Sequence, residues 1–217
     1  CGWFFDDLAG LETILILQHA ARAIQLAEEL TGQEIEKKFL ARLLEAESNL
    51  PEMGNGDQVY QRLVKPKQVT LEKVVNHFGI SSLLDDGDGE KKIFSYRVEK
   101  IHYEKVEKNG DLLVIGQVRV TSHIIPESKE FLFGLIPSQK EVFRTWVSEV
   151  KDNISFDTLR EKGREHLGRG EEEMTKVLTS FLGNQFFSIR DTFKEERQTL
   201  FQKLIQREFD EHCQIYA

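Results

Sequence analysis

Three carboxylates and one indole lie close together at the start of the sequence, and these side-chain types can carry out acid–base chemistry on a bound ligand. Asp6, Asp7 and Glu12 follow Trp3. Carboxylates exchange protons with reacting groups, and an indole offers a flat wall against which a sugar ring can stack. A simpler interpretation makes Trp3 part of a core and Asp6 or Asp7 a helix cap. Residue types alone favour this structural interpretation.

The remaining patterns predict no cofactor and no metal. The sequence has no G-x-S-x-G, Walker or G-x-G-x-x-G motif, and none of its six histidines pairs with another at metal-ligand spacing. Asp85 to Glu90 contains four carboxylates. It lacks the twelve-residue calcium-loop pattern, so we expect a flexible loop without structural calcium.

Composition limits the classes of partner and the compartment. The net charge of −8 argues against binding to nucleic acid or to an anionic membrane. Apolar runs such as Ile14–Leu17 are far too short to span a membrane. Cys1 and Cys213 form no disulfide framework, and no signal peptide is visible. We therefore expect a cytoplasmic protein.

Hydrophobic spacing predicts a helical region over residues 1–84. A long helix fits Leu11 to Leu30 and ends at the cap Gly32, and the apolar run Ile14–Leu17 should be deeply buried. A second helix fits residues 33–48. A third fits residues 70–77, with Thr70 as its N-cap.

The next two regions complete an α+β fold. Alternation over residues 92–150 predicts an antiparallel sheet of about four strands, with an Asn109-Gly110 hairpin and a turn at Pro137-Ser138. Residues 155–217 return to helical spacing. Ser155 is the predicted cap of the first helix, and the glycines around Arg169 should break it.

The N-terminal string also carries a family resemblance. Residues 1–13, CGWFFDDLAGLET, and the stretch from Gln18 to Ala27 resemble bacterial glycoside hydrolase family 57-like proteins of the alpha-amylase or alpha-mannosidase type. The similar region is a C-terminal domain of unknown function that follows the catalytic barrel. Ala9 departs from the serine expected there. A chain that begins with Trp3 and two phenylalanines is also expected to be part of a longer protein, because free chain ends fray.

The resemblance implies a role as well as a fold. The catalytic carboxylates of such enzymes belong to an N-terminal (β/α) barrel, and no alternating βαβ pattern occurs here. We therefore expect a non-catalytic accessory portion whose partners are the barrel of the same polypeptide and carbohydrate. Trp3, Asp6, Asp7 and Glu12 are its predicted substrate-binding residues. Asp6 and Asp7 match the family only as acidic neighbours.

Two other functions compete with this interpretation. One is a stand-alone interaction or carbohydrate-binding module, whose exposed sheet face would present Tyr96, Tyr103 and Trp146. The other is a small enzyme built on Asp6, Asp7, Glu12 and His19. The second is disfavoured, because glycoside hydrolysis needs opposed carboxylates roughly 5–9.5 Å apart across a bound sugar.

Overall fold

The computed structural model describes residues 7–83, 89–124, 127–151, 154–193 and 197–206. The chain divides into two compact units, Cys1–Val69 and Thr70–Ala217. Trp3, Asp6 and most of the Asp85–Glu90 loop lie outside the described residues. The expectations for those positions remain predictions.

The first unit consists of helices. They are α1 (Leu11–Thr31), α2 (Ile35–Leu43) and α3 (Gly56–Val59), and α3 continues into a π-helical turn (Tyr60–Val64) and a 3₁₀ turn (Lys65–Lys67). The predicted end of α1 is confirmed. Gly32 is left-handed, with φ 66°, and its N–H donates to the Glu28 carbonyl. The predicted second helix is shorter than expected.

The core of the first unit lies between α1 and the π-helical turn. Ile14, Leu17 and Ala21 pack with Val59, Tyr60 and Val64. The prediction that the whole Ile14–Leu17 run is buried is wrong for two of its four residues. Leu15 and Ile16 are 53% and 43% exposed. The apolar run surrounds the helix, whereas its neighbours cover only one side.

The second unit places helices on both faces of a sheet. Its elements, in chain order, are α4 (Leu71–Ser82), β1 (Glu90–Ile93), β2 (Tyr96–Lys108), β3 (Asp111–Ser122), β4 (Ser128–Ser138), β5 (Val142–Glu149), α5 (Phe156–His166), α6 (Glu171–Leu182), β6 (Phe186–Ser188) and a 3₁₀ turn (Ile189–Asp191). Residues 197–206 are helical. Thr70 caps α4 and Ser155 caps α5, as predicted.

The sheet is antiparallel throughout, with the strand order β1-β2-β3-β4-β5-β6. The predicted Asn109-Gly110 hairpin is confirmed. Lys108 pairs with Asp111, and both turn residues have positive φ. The α+β class is confirmed as well. Gly116 leaves the space that the Phe133 ring fills, since a Cβ there would lie 2.4 Å from the ring.

The predicted count of about four strands is wrong, because the sheet has six. The two additional strands are its edges. β1 has four residues and β6 has three, too few to show an alternation of period two. The predicted turn at Pro137-Ser138 is also misplaced. Both residues belong to β4, and residues 139–141 form the turn.

The main core of this unit lies between the sheet and the pair α5 and α6. It includes Leu113, Leu132 and Trp146 from the sheet, and Leu159 and Leu178 from the helices. Helix α4 covers the opposite face. There the Phe78 and Phe133 rings meet edge to face with their centroids 6.2 Å apart, within the range of about 4.5–7 Å that is typical of aromatic pairs.

Tyr96, Tyr103 and Trp146 do not form the exposed aromatic face that the binding-module interpretation requires. Tyr96 and Trp146 are only 3% and 1% exposed. Tyr103 is half-buried, and its hydroxyl accepts a hydrogen bond from Ser82 Oγ at 3.2 Å. Because helices cover both faces of the sheet, Tyr96 and Trp146 stabilise the core and present no flat platform to solvent.

Candidate functional site

Asp7 joins the start of the described chain to the loop that follows α2. Its Oδ1 accepts hydrogen bonds from Ser48 Oγ at 2.6 Å and from the Asn49 N–H at 3.0 Å. Its Oδ2 accepts from the Ala9 N–H at 3.1 Å. The Ser48 hydrogen bond is the largest of several effects that hold the pKa of Asp7 below its usual range.

The backbone of Asp7 organises the entry to α1. Its carbonyl oxygen accepts from the Gly10 N–H at 3.2 Å and from Thr13 Oγ1 at 3.1 Å. The prediction that an aspartate side chain caps α1 is wrong for Asp7, because the N-cap is Gly10 and has no side-chain cap. The Asp7 side chain bonds to the distant Ser48 loop and to the turn before the helix.

Glu12 has a less constrained position in the first turn of α1. Within the described residues it makes no hydrogen bond or ion pair, and a carboxylate there interacts favourably with the helix dipole. Asp7 is poorly suited to donate a proton, because its lowered pKa keeps it ionised and both of its oxygens accept hydrogen bonds. The arrangement around Asp7 is that of a structural anchor.

A second polar network in the first unit was not predicted. Tyr60, fully buried, donates from Oη to Glu36 Oε1 at 2.9 Å. Gln68 Nε2 donates to the same Glu36 oxygen at 3.1 Å and to Tyr60 Oη at 3.0 Å. Lys65 Nζ forms an ion pair with the other oxygen, Oε2. Glu36 lies 24 or more positions before the other three residues, so no local motif indicates that it meets them.

Charge and burial fix the protonation states of this network. Burial raises the pKa of the Tyr60 phenol, and the adjacent Glu36 carboxylate raises it further. Burial also raises the pKa of Glu36. The hydrogen bonds from Lys65, Gln68 and Tyr60 outweigh it, so the pKa of Glu36 lies below its usual range. A charged acceptor and a protonated donor are therefore held together, as suits a structural lock between α2 and the π-helical turn.

Replacing Asp7 with asparagine should lower the melting temperature of the chain, because asparagine keeps the shape but offers one acceptor oxygen in place of two. Glu12→Gln makes the same replacement of a carboxylate by an amide. It should leave the melting temperature nearly unchanged and is therefore the matched control. The folded pKa of Asp7 is depressed. Its stabilisation is therefore present at neutral pH and lost as the pH falls through that folded pKa.

Thermal melts of both variants across acidic pH test this role of Asp7. The difference between wild type and Asp7→Asn should shrink toward low pH. Equal melting temperatures for wild type and Asp7→Asn at neutral pH would contradict the anchoring role.

Two further observations concern ions and membranes. Among the described residues, no group of three or more His, Cys, Asp or Glu side chains is arranged to hold a metal ion. Nor does any helix in the described part of the chain have the length and apolar character that crossing a membrane requires.

Comparison with known proteins identifies a matching family model. No curated protein and no solved structure matches the sequence significantly. A family model described as "Domain of unknown function (DUF3536)" matches residues 1–193, which include the Asp7 anchor, the Glu36 network and the whole six-stranded sheet. Since the match covers most of the sequence, the chain belongs to the DUF3536 family.

Proposed function

We propose that the chain is the non-catalytic C-terminal accessory portion of a family 57-like carbohydrate-active enzyme. In this proposal it packs on an N-terminal (β/α) barrel of the same polypeptide and contributes Trp3 and Asp6 to the barrel's sugar cleft. The observation that carries the proposal is an exposed apolar face on α1, which begins four residues after the Asp7 anchor.

That face consists of Leu11, Leu15 and Ile16, which are 77%, 53% and 43% exposed. Leu11 and Leu15 are four residues apart and therefore lie on one side of the helix. Contiguous apolar side chains on a surface usually mark an interface. Ile14 and Leu17, on the other side of α1, are buried in the unit's own core, so the helix has apolar residues on two sides.

The resemblance of residues 1–27 to the family 57-like proteins supports the barrel as the occupant of this face. In those proteins the similar segment joins the barrel to the following helical domain. The geometry of Asp7 supports the same assignment, because its bonds to Ser48 and Asn49 hold the chain rigidly at the entry to α1. Trp3 and Asp6 precede this anchored residue in the sequence, so the proposal assigns them to the junction.

The charge state of Asp7 supports a non-catalytic role for the isolated chain. It remains ionised, and its oxygens are occupied by donors from its own unit. The rival module with an exposed aromatic sheet face loses its main support, since Tyr96 and Trp146 are buried.

Hydrogen–deuterium exchange can test the proposal on the full-length polypeptide and on the isolated chain. Residues 11–17 should exchange more slowly in the full-length protein, because the barrel covers Leu11 and Leu15. Leu15→Glu should abolish this protection and reduce turnover. Leu30→Glu serves as the control, since Leu30 is on the same helix and is 69% exposed, and should change neither.

Two results would contradict the proposal. One is equal exchange of residues 11–17 in the two proteins. The other is hydrolysis of aryl glycosides or α-glucans by the isolated chain that disappears in Glu12→Gln.

A further inference from the structure

Strand β2 is much longer than its neighbour β1, and this leaves part of one sheet edge open. β1 pairs only with the first four residues of β2, Tyr96 to Glu99. From Lys100 to Lys108, β2 pairs with β3 on one side. Among the described residues, no strand pairs with the other side of that stretch. Its outward N–H and C=O groups can therefore accept a further strand.

A bulge limits the regular part of this edge. The pairing with β3 shifts between Lys100 and His102, so the ladder runs without interruption only from His102 to Lys108. At roughly 3.3 Å per residue, such a stretch is long enough for several inter-strand hydrogen bonds. Open edges of this kind are templates for pairing with another chain unless their side chains prevent it.

The side chains at the end of this edge alternate in charge and are complementary to themselves. Glu104, Lys105, Glu107 and Lys108 flank Val106. When two copies pair antiparallel with the two Val106 residues opposite each other, Lys105 of each copy faces Glu107 of the other. In the same register Glu104 faces Lys108. Opposite charges placed directly across a pair of strands stabilise the pairing.

Two neighbouring registers lack this complementarity. Centring the pair on Lys105 places the two Lys105 side chains opposite each other. Centring it on Glu104 opposes the two Glu104 side chains and also brings Lys100 against Lys108. Like charges directly opposite are destabilising. Charge therefore favours the register centred on Val106 over both of them.

The existing contacts of these side chains are compatible with that register. Arg164 donates to Oε1 of Glu104 through Nε at 2.6 Å and lies within ion-pair distance of it through Nη2. Both contacts use Oε1, so Oε2 of Glu104 can form an ion pair with Lys108 of the other copy. Lys105 Nζ lies 3.1 Å from Glu107 Oε1 within β2. In the two-fold pair, these two residues and their copies form a ring of four alternating charges.

We propose that the open edge of β2 binds a second copy of this chain, joining the two six-stranded sheets through antiparallel β2–β2 pairing centred on Val106. This inference is independent of the accessory role proposed above, because it concerns only the unit Thr70–Ala217. The partner is specified by backbone hydrogen bonding and by the alternation of charge along residues 104–108.

Sedimentation velocity over a concentration series, combined with a charge swap, tests the proposal on the whole chain. Wild type should show a concentration-dependent dimer that weakens as salt is added. Lys105→Glu should weaken dimerisation by about tenfold, because the two-fold axis creates the like-charge contact twice. The double variant Lys105→Glu with Glu107→Lys restores opposite charges and should recover the dimer.

Lys140→Glu is the matched control. It reverses an exposed lysine in the β4–β5 turn and should leave dimerisation unchanged. All substituted side chains are exposed, so circular dichroism should show the same fold for every variant. A wild-type chain that remains monomeric throughout the series would overturn the proposal. A dimer that is insensitive to Lys105→Glu, or that the double variant fails to recover, would overturn it as well.

Discussion

Replacing Trp146 with alanine is expected to lower the free energy of unfolding of the second unit by about 3–5 kcal/mol, the usual cost of truncating a buried aromatic. Trp146 is 1% exposed and packs in the core between the sheet and α5 and α6. Removing the indole leaves a cavity that the surrounding structure closes only in part. Urea denaturation followed by circular dichroism measures the change.

Phe94→Ala is the control for this prediction. Phe94 is 53% exposed and stacks only on Phe193 among the described rings, so its loss should cost no more than about 1.5 kcal/mol. A Trp146→Ala variant that keeps wild-type stability but loses affinity for a carbohydrate would contradict the core assignment and restore the binding-module interpretation.

Replacing Glu36 with leucine is expected to destabilise the first unit by about 2–3 kcal/mol, because a buried hydroxyl left without its acceptor is costly. The Tyr60 hydroxyl is the group affected, since Tyr60 has no exposed surface. Adding Tyr60→Phe to Glu36→Leu removes the stranded donor and should recover part of the loss. A double-mutant cycle from urea denaturation gives the coupling between the two residues.

The pH dependence of Glu36 has a defined sign. Its pKa is lower in the folded chain than in the unfolded chain. The stabilisation that ionised Glu36 provides is therefore complete at pH values above the usual pKa range of glutamate. It is lost as the pH falls through the folded pKa. Glu36→Gln should flatten this part of the stability profile. Glu34→Gln should leave it unchanged, because Glu34 is exposed and its ion pair with Lys37 spans 3.6 Å.

The double-mutant cycle has an outcome that would contradict the structural lock between α2 and the π-helical turn. That outcome is additive effects of Glu36→Leu and Tyr60→Phe on the free energy of unfolding.

Local sequence signals predicted the features that local chemistry decides. Asn109-Gly110 requires positive φ and forms a hairpin, Thr70 and Ser155 accept hydrogen bonds from helix N-termini, and Gly32 ends α1 in a left-handed conformation. Each depends on one or two residues whose preferred backbone conformation or hydrogen bonding differs from that of other residue types.

Features decided by distant contacts were missed or misplaced. β6 lies in a region with helical spacing, and its three residues pair with β5 only after two helices have intervened. Asp7 was identified as a candidate site residue, but its bond to Ser48 spans 41 positions and could not be predicted. The Glu36 network likewise depends on tertiary packing. The spacing of hydrophobic residues shows which side of a helix or strand is apolar. It does not show which other element packs against that side.

The strand order also has a kinetic consequence. Every pairing from β1 to β5 joins strands that are consecutive in the chain, so each forms by closing a short loop. The β5–β6 pairing instead encloses α5 and α6. Contacts that are close in sequence form early and distant ones wait for the intervening chain to order. The five-strand meander can therefore form one hairpin after another. The β5–β6 pairing forms later, because it waits for α5 and α6 to dock.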